Sequence, residues 1–236
     1  MKDIHPTGQA RELAKRYFEQ QSLFEDEVFL PPKTAEKRLH ILRGALTPLP
    51  SSLADFERQI HDCTRCPLGH TRTKFVFGVG NPEAKIVFVG EAPGREEDLQ
   101  GLPFVGRAGK LLDELLSEVG FSRDDIYICN VLKCRPPENR DPDPLEIETC
   151  KPYLLTQLSI LRPYFLVCLG RFAVQVLLGV KESMKALRGR LFSWEGTQIL
   201  VTYHTAYYLR NASETHWGQQ DFALLRRLYD EMQPAW

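Results

Sequence analysis

Four cysteines have the spacing of ligands to one metal centre. Cys63 and Cys66 form a C-x-x-C pair, in which two thiolates on one turn can hold the same ion or cluster. Cys134 and Cys150 follow, with fifteen residues between them. All four lie in polar, turn-forming sequence, and we therefore interpret them as the four thiolate ligands of one centre.

The spacing of these cysteines leaves other interpretations open. Two disulfides are one alternative, although we expect no secretory signal and reducing compartments disfavour structural disulfides. Zinc and an iron–sulfur cluster both accept four thiolates, and the spacing alone leaves the metal open. Two further cysteines, Cys129 and Cys168, lie inside apolar runs, where a thiol is most often a small buried hydrophobe.

A second group of polar residues stands at the ends of short apolar runs. Glu91, Asn130 and His204 each end or directly follow such a run. A carboxylate, an amide and an imidazole at successive strand ends are what a pocket for a polar, planar ligand requires. Taken singly, each residue is also explained as a solvated loop residue, a turn cap or a surface histidine.

Hydrophobic periodicity predicts the elements that position these residues. Continuous apolar runs over 85–90, 126–130, 165–170 and 198–204 fit strands buried on both faces of a parallel sheet. Helical patterns alternate with them over 109–119, 145–161, 171–178 and 217–232. This rhythm predicts an α/β fold: a three-layer sandwich with a central, mostly parallel sheet and a ligand site at the carboxyl ends of its strands.

Residues 1–52 are predicted to be a helical N-terminal extension that ends in a linker. Apolar residues at helical spacing indicate two helices broken at Pro31-Pro32, and Pro and Ser are frequent over 47–52. Ser52, with Asp55 three residues later, predicts a helix start for 53–60. The remainder, 53–236, is predicted to form one domain.

Composition limits the class of protein. The chain has 236 residues, of which 43% are hydrophobic and 26% charged, enough for one α/β domain plus an extension. Its formal net charge of −1 argues against non-specific coating of nucleic acid. No apolar run approaches membrane-spanning length, so we expect a cytoplasmic protein without a membrane partner. Because the total charge is near neutral, any contact with the phosphates of a nucleic acid must come from local groups of basic residues. The candidates are Lys133, Arg135 and Arg140, then Lys185, Arg188 and Arg190.

Several motifs, in order, resemble the family 4 uracil-DNA glycosylases of the uracil-DNA glycosylase superfamily. They are Cys63-x-x-Cys66, Gly90-Glu-Ala-Pro-Gly94-Arg-Glu-Glu97, Gly101-Leu-Pro-Phe104-Val-Gly-Arg-Ala-Gly109, Asn130-Val-Leu-Lys-Cys134-Arg-Pro-Pro-Glu-Asn139, Cys150 and His204-Thr-Ala-Tyr-Tyr-Leu-Arg210. The resemblance implies a monofunctional DNA-repair hydrolase that flips uracil out of single- or double-stranded DNA and leaves an abasic site. It also implies a [4Fe-4S] cluster on the four cysteines, within a glycosylase-like domain over 53–236.

The resemblance suggests a role for each pocket residue. Ala92 and Phe104 contact the flipped base, with Phe104 stacking on it. Asn130 offers a donor and an acceptor that match the O4 and N3–H edge of uracil and mismatch cytosine. His204 donates to the uracil O2 as negative charge gathers there.

The residue that positions the attacking water is not settled by sequence. The superfamily's best-known members have an Asp in the first motif, where this chain has Ala92. The candidates that remain are Glu91, Glu97 and Asn139.

The segment after His204 is expected to enter the DNA. Tyr208 and Leu209 are candidates to wedge into the space left by the flipped nucleotide, with Arg210 beside them. Thr205 stands where most family members have Pro, so this turn is expected to be less rigid.

Two other functions remain open at this point. One is a non-catalytic module that recognises modified DNA or a replication partner, favoured by the missing Asp and by the extension. The other is a zinc-containing hydrolase of free nucleotides.

Overall fold

The computed structural model describes residues 50–194 and 196–232. The helices predicted within 1–49 lie outside the described residues. In the described part, six strands form one mixed sheet in the order β1-β3-β2-β4-β6-β5. The strands are β1 (Val79–Gly80), β2 (Ile86–Gly90), β3 (Ile126–Asn130), β4 (Phe165–Leu169), β5 (Leu191–Trp194) and β6 (Thr197–Thr202).

The sheet is parallel in its centre and antiparallel at its edges. Strands β3, β2, β4 and β6 pair in parallel, which confirms the four predicted strands. The two short edge strands, β1 and β5, pair antiparallel to β3 and β6. Sequence reasoning missed both, because β1 has only two residues and β5 alternates in burial.

Eight α-helices of the described part connect and cover these strands. They are α1 (Leu53–Ile60), α2 (Arg95–Gln100), α3 (Arg107–Glu118), α4 (Pro144–Leu161), α5 (Arg171–Leu178), α6 (Met184–Leu187), α7 (Thr205–Arg210) and α8 (Thr215–Met232). Helix α1 begins as predicted, since the Ser52 side chain accepts the Asp55 backbone N–H at 3.1 Å. Within the described ranges, every helix is too short or too polar to span a membrane.

Alternating side chains of the strands build a core on each face of the sheet. Val87 and Val89 join a cluster with residues of α1, α4 and α5. Ile86 and Phe88 point the other way, into a cluster with residues of α3 and α8. The three-layer α/β sandwich predicted from the sequence is therefore confirmed.

Parallel pairing brings the carboxyl ends of the strands to one edge of the sheet. Gly90 of β2 is in register with Asn130 of β3, and Leu169 of β4 is in register with Thr202 of β6. Glu91 and His204 follow these strand ends within two residues. The fold therefore brings the three predicted pocket residues to the same edge.

A buried polar network attaches α8 to the end of β6. Asp221 of α8 is 2% exposed and accepts hydrogen bonds from Arg188 at 2.8 Å and from the Thr202 hydroxyl at 2.7 Å. The Tyr208 hydroxyl lies 3.2 Å from the same Thr202 oxygen. This network fixes the segment between β6 and α8, which includes His204.

Candidate active site

A polar pocket lies where β2 and β3 end. Asn130 is 2% exposed, and its side-chain Oδ1 has no hydrogen-bond partner in the described part of the chain. A Cβ added to Gly90 would lie 2.4 Å from that oxygen and 2.7 Å from the Phe104 ring, so glycine is required there. A buried acceptor without a partner costs about 1–3 kcal/mol, and a ligand that donates a hydrogen bond would recover it.

Phe104 closes this pocket from a strained backbone. Its φ of 55° lies in the left-handed region, which is costly for a side chain with a Cβ. The loop folds so tightly that a Cβ on Gly109 would lie 1.8 Å from the Phe104 carbonyl oxygen. Arg123 donates to that same oxygen at 2.5 Å. The Phe104 ring stacks on His204, with centroids 5.3 Å apart and planes at 23°.

Glu97 connects the loop after β2 to the loop that carries Phe104. Its two carboxylate oxygens accept the backbone N–H groups of Gly94 at 3.1 Å, Val105 at 3.0 Å and Gly106 at 2.9 Å. The Glu97 carboxylate therefore fixes the backbone of the two loops that form the pocket.

His204 is held as a neutral hydrogen-bond donor. It caps the N-terminus of α7, where its Nδ1 accepts the Ala206 backbone N–H at 3.1 Å. An accepting Nδ1 leaves the proton on Nε2. Burial lowers the pKa of the imidazole to about 4, and the positive charge of Arg210 adds to this effect while Glu97 opposes it. At neutral pH the side chain therefore presents an uncharged Nε2–H.

Glu91 has a carboxyl group poised to titrate near neutrality. Burial raises its pKa to about 7, and the negative charge of Asp141 raises it further against the opposing charges of Arg171 and Arg210. Arg171 itself is paired with Asp141. A carboxyl group with this pKa can act as a general base at physiological pH.

Asn139, the third predicted candidate for positioning water, is less available. It is exposed, has a φ of 55°, and its side-chain oxygen accepts a hydrogen bond from Arg135 Nε at 2.8 Å. Ala92 is half-buried and packs against the apolar cluster of the α4 face.

The two predicted wedge residues differ in exposure. Tyr208 is 1% exposed and lies in the core, where a Cβ on Gly218 would be 2.9 Å from its ring. Leu209 is 37% exposed and Arg210 is also exposed. Thr205, at the first position of α7, is fully buried, and its hydroxyl has no hydrogen-bond partner among residues 50–194 and 196–232. Leu209 is thus the apolar side chain of α7 that faces solvent.

The four predicted cysteine ligands lie near one another, and all are free thiols. Cys63 and Cys66 pack against the cluster that contains Cys134 and Cys150. Burial raises the pKa of Cys134 to about 11 and of Cys150 to about 12, and in each case neighbouring cysteines of the group raise it further. The chain thus brings together the turn after α1, the loop after β3 and helix α4.

Two side chains that sequence reasoning missed support this cysteine group. Arg72 donates to the carbonyl of Cys63 and, at 3.4 Å, to the sulfur of Cys134. The Tyr153 hydroxyl, one turn of α4 beyond Cys150, donates to the sulfur of Cys63 at 3.2 Å. No sequence signal marks these residues, since the two bonds to sulfur join positions more than sixty residues apart.

The predicted phosphate contacts are partly wrong. Lys133 is fully buried, so it cannot reach DNA. Arg140 is exposed but pairs with Glu146, and Arg188 is engaged by Asp221. Among the basic residues before the last strand, Arg188 therefore stabilises the fold. Lys185 remains exposed.

Comparison with known proteins gives consistent matches. A family model for the uracil DNA glycosylase superfamily matches residues 77–233. The type-4 uracil-DNA glycosylase of Archaeoglobus fulgidus is 46% identical over 192 residues, covering 78% of this chain and 96% of that protein. The enzyme of the same name from Thermotoga maritima is 50% identical over 157 residues, covering 66% and 82%. A third, from Saccharolobus solfataricus, is 44% identical over 173 residues, covering 70% and 80%.

The protonation of His204 can be measured directly. Nitrogen-detected NMR should show an Nε2–H tautomer that takes up a second proton only near pH 4, and Arg210→Ala should raise this pKa because it removes a positive charge. The unfolded chain binds that proton near pH 6.5, so His204 makes stability fall as pH drops from about 6.5 to about 4. Arg226→Ala, which removes a charge paired with Asp230, is the control and should leave this pKa unchanged. Titration near 6.5 or an Nδ1–H tautomer would contradict the assignment.

Proposed function

This chain belongs to the uracil-DNA glycosylase superfamily, and we propose that it works as a monofunctional type-4 enzyme on flipped uracil in single- and double-stranded DNA. It hydrolyses the N-glycosidic bond and leaves an abasic site. The observation that carries this proposal is the buried, unpartnered Oδ1 of Asn130 beside Gly90 and Phe104. A cytoplasmic location, where free thiols persist, belongs to the same proposal.

Asn130 supplies the chemistry that recognises uracil. Its Oδ1 can accept the uracil N3–H, and its Nδ2 can donate to O4. Cytosine presents an acceptor at N3 and a donor at N4, so both contacts would be mismatched. A bidentate contact of this kind discriminates by roughly 1–3 kcal/mol.

His204 favours departure of the base. As the C–N bond breaks, negative charge gathers on the uracil oxygens and positive charge on the sugar. The fixed Nε2–H of His204 can donate to O2, and the depressed pKa keeps it a donor without a charge of its own. Donors placed where charge develops are usually the largest single contribution to catalysis.

Glu91 is the candidate that the geometry favours for positioning water. Glu97 already accepts three backbone N–H groups, and Asn139 accepts from Arg135. The Glu91 carboxyl group makes neither of these contacts, and its pKa lies near 7. We assign the water to Glu91 and the shape of the pocket to Glu97. This carboxylate takes the place of the Asp missing at Ala92 and weakens the case for a non-catalytic module.

Leu209 and Arg210 complete the DNA contact. An exposed leucine on a short helix beside the pocket is suited to fill the gap left by a flipped nucleotide. Arg210 stands next to it with a cation for the phosphate backbone.

The cysteine group fits a [4Fe-4S] cluster. The four free thiols supply the donor set that such a cluster takes. Arg72 and the Tyr153 hydroxyl donate to the sulfurs of Cys134 and Cys63, and hydrogen bonds to the ligand sulfurs tune the potential of such a cluster. Cys63, Cys66, Cys134 and Cys150 would hold it, and its binding energy would become folding energy.

The experiment that tests the function is a single-turnover assay on uracil-containing DNA with an abasic-site readout. We expect excision from both single strands and duplexes. His204→Ala should slow the chemical step by about a hundred- to a thousand-fold with DNA affinity nearly unchanged, and His204→Asn, which keeps a donor, should recover part of the loss. The excision rate of 5-fluorouracil, a better leaving group, should be lowered less by His204→Ala. Equal losses on both bases would assign His204 to the water or the sugar.

Glu91 predicts a pH dependence. Because the ionised carboxylate is the active form, the single-turnover rate should rise with pH through about 7 and then level. Glu91→Gln should lower the rate and flatten this limb. Glu96→Gln, on the exposed side of the neighbouring helix, is the control and should keep the wild-type profile. Survival of the limb in Glu91→Gln would give the role to another group.

If the protein binds a [4Fe-4S] cluster, it should be coloured, and removal of a ligand should abolish the colour. The purified protein should be brown, and Cys134→Ala or Cys150→Ala should remove both the colour and cooperative unfolding. Cys168→Ala, in the buried centre of β4, should keep the colour and lose only packing stability. Equimolar zinc without iron or sulfide in anaerobically prepared protein would contradict the assignment.

A further inference from the structure

Lys133 is a fully buried lysine between the pocket and the cysteine group. It follows Asn130 by three residues and directly precedes Cys134. Its side chain is 0% exposed. A buried lysine is rare unless its nitrogen is paired. The contacts of Lys133 therefore indicate its role.

The Lys133 side chain contacts the backbone of the base-reading residue. Its Nζ donates to the Asn130 carbonyl oxygen at 2.8 Å and to Gln157 Oε1 at 2.5 Å. Gln157, also fully buried, donates from Nε2 to the Phe77 carbonyl at 3.0 Å. Lys133 thus joins the end of β3 to helix α4.

The Lys133 backbone continues into the cysteine side of the same region. The next residue in the chain is Cys134, one of the four candidate ligands. The Lys133 carbonyl accepts the Val76 N–H at 2.9 Å. One residue therefore connects a cysteine ligand, the segment before β1 and the peptide of Asn130.

We propose that Lys133 is a positioning residue for base recognition, which holds the Asn130 peptide so that the side-chain amide faces uracil beside Gly90 and Phe104. The inference rests on the proposed role of Asn130. The amide packs closely against Gly90, since a single added carbon at position 90 would lie 2.4 Å from Oδ1. A small rotation of this peptide would therefore misalign both hydrogen bonds to the base.

The alternative is that Lys133 only stabilises the fold, and a matched pair of variants distinguishes the two. Lys133→Met keeps the length of the side chain and removes both of its hydrogen bonds. Gln157→Leu breaks the same buried network but leaves the bond from Lys133 to Asn130. Both variants should lose thermal stability, while base recognition should respond only to the first.

The measurement is binding, by fluorescence anisotropy, to DNA that carries uncleavable 2′-fluoro-2′-deoxyuridine or 2′-fluoro-2′-deoxycytidine. Lys133→Met should lower the preference for uracil over cytosine by about ten-fold, with cytosine DNA bound as before. Gln157→Leu should keep the preference within about two-fold. A wild-type preference in Lys133→Met, or an equal loss in Gln157→Leu, would overturn the proposal.

Asn130→Asp separates this inference from its premise. Loss of uracil preference in Asn130→Asp but not in Lys133→Met would overturn the positioning role alone. Unchanged preference in Asn130→Asp would overturn the reading of uracil by Asn130 and the inference with it. If Lys133→Met does not fold, the test is NMR of wild-type protein with ¹⁵N-labelled lysine. Saturation with free uracil should then shift the Lys133 Nζ resonance but not that of Lys85, and an unmoved Lys133 would overturn the proposal.

Discussion

The left-handed backbone of Phe104 is the constraint on which the pocket depends. A non-glycine residue in this region costs about 1–3 kcal/mol, and the conformation persists because several contacts hold it. Gly109 allows the chain to pass the Phe104 carbonyl, Arg123 donates to that carbonyl, and Glu97 accepts the next two backbone N–H groups. The ring is thereby placed against His204 and above Gly90 before any ligand arrives. Strain at this position is thus offset by contacts from three other elements.

The electrostatics of the pocket suit a reaction in which the leaving base carries the negative charge. A charged imidazolium would attract that anion more strongly, but creating it in a buried site beside Arg210 is unfavourable, as its depressed pKa shows. A neutral donor fixed by the cap of α7 needs no reorganisation as the charge develops. Glu91 has the opposite shift for the same physical reason, because burial disfavours its charged form. One desolvated environment thus keeps the imidazole neutral and leaves the carboxyl poised near neutrality.

Much of this arrangement could be predicted from the sequence, and the rest has a common physical cause. Runs buried on both faces gave the parallel strands, and parallel pairing placed Asn130 and His204 at one edge. Composition could not reveal that Lys133 lies inside the protein, because the bonds that compensate its burial come from Asn130 and Gln157. The roles of Arg72, Arg123 and Tyr153 likewise depend on partners far along the chain. Local patterns predict elements, whereas these partners are decided by how the elements pack.

The turn that carries Leu209 and Arg210 is oriented by packing against the rest of the protein and not by a rigid local backbone. A proline at the start of α7 would fix one torsion, and Thr205 does not. Instead, the rings on either side of His204 stack, Tyr203 on Tyr207 at 4.1 Å and 9°. Trp217 of α8 also stacks on Tyr203, with centroids 5.9 Å apart. Helix α7 is therefore oriented by the body of the protein, so the proposed wedge residue Leu209 and the His204 imidazole are fixed by the same contacts. A change in α8 that loosened this stack would be expected to disturb both, and the hydrogen bond from Thr202 to Asp221 attaches α8 to the same end of β6.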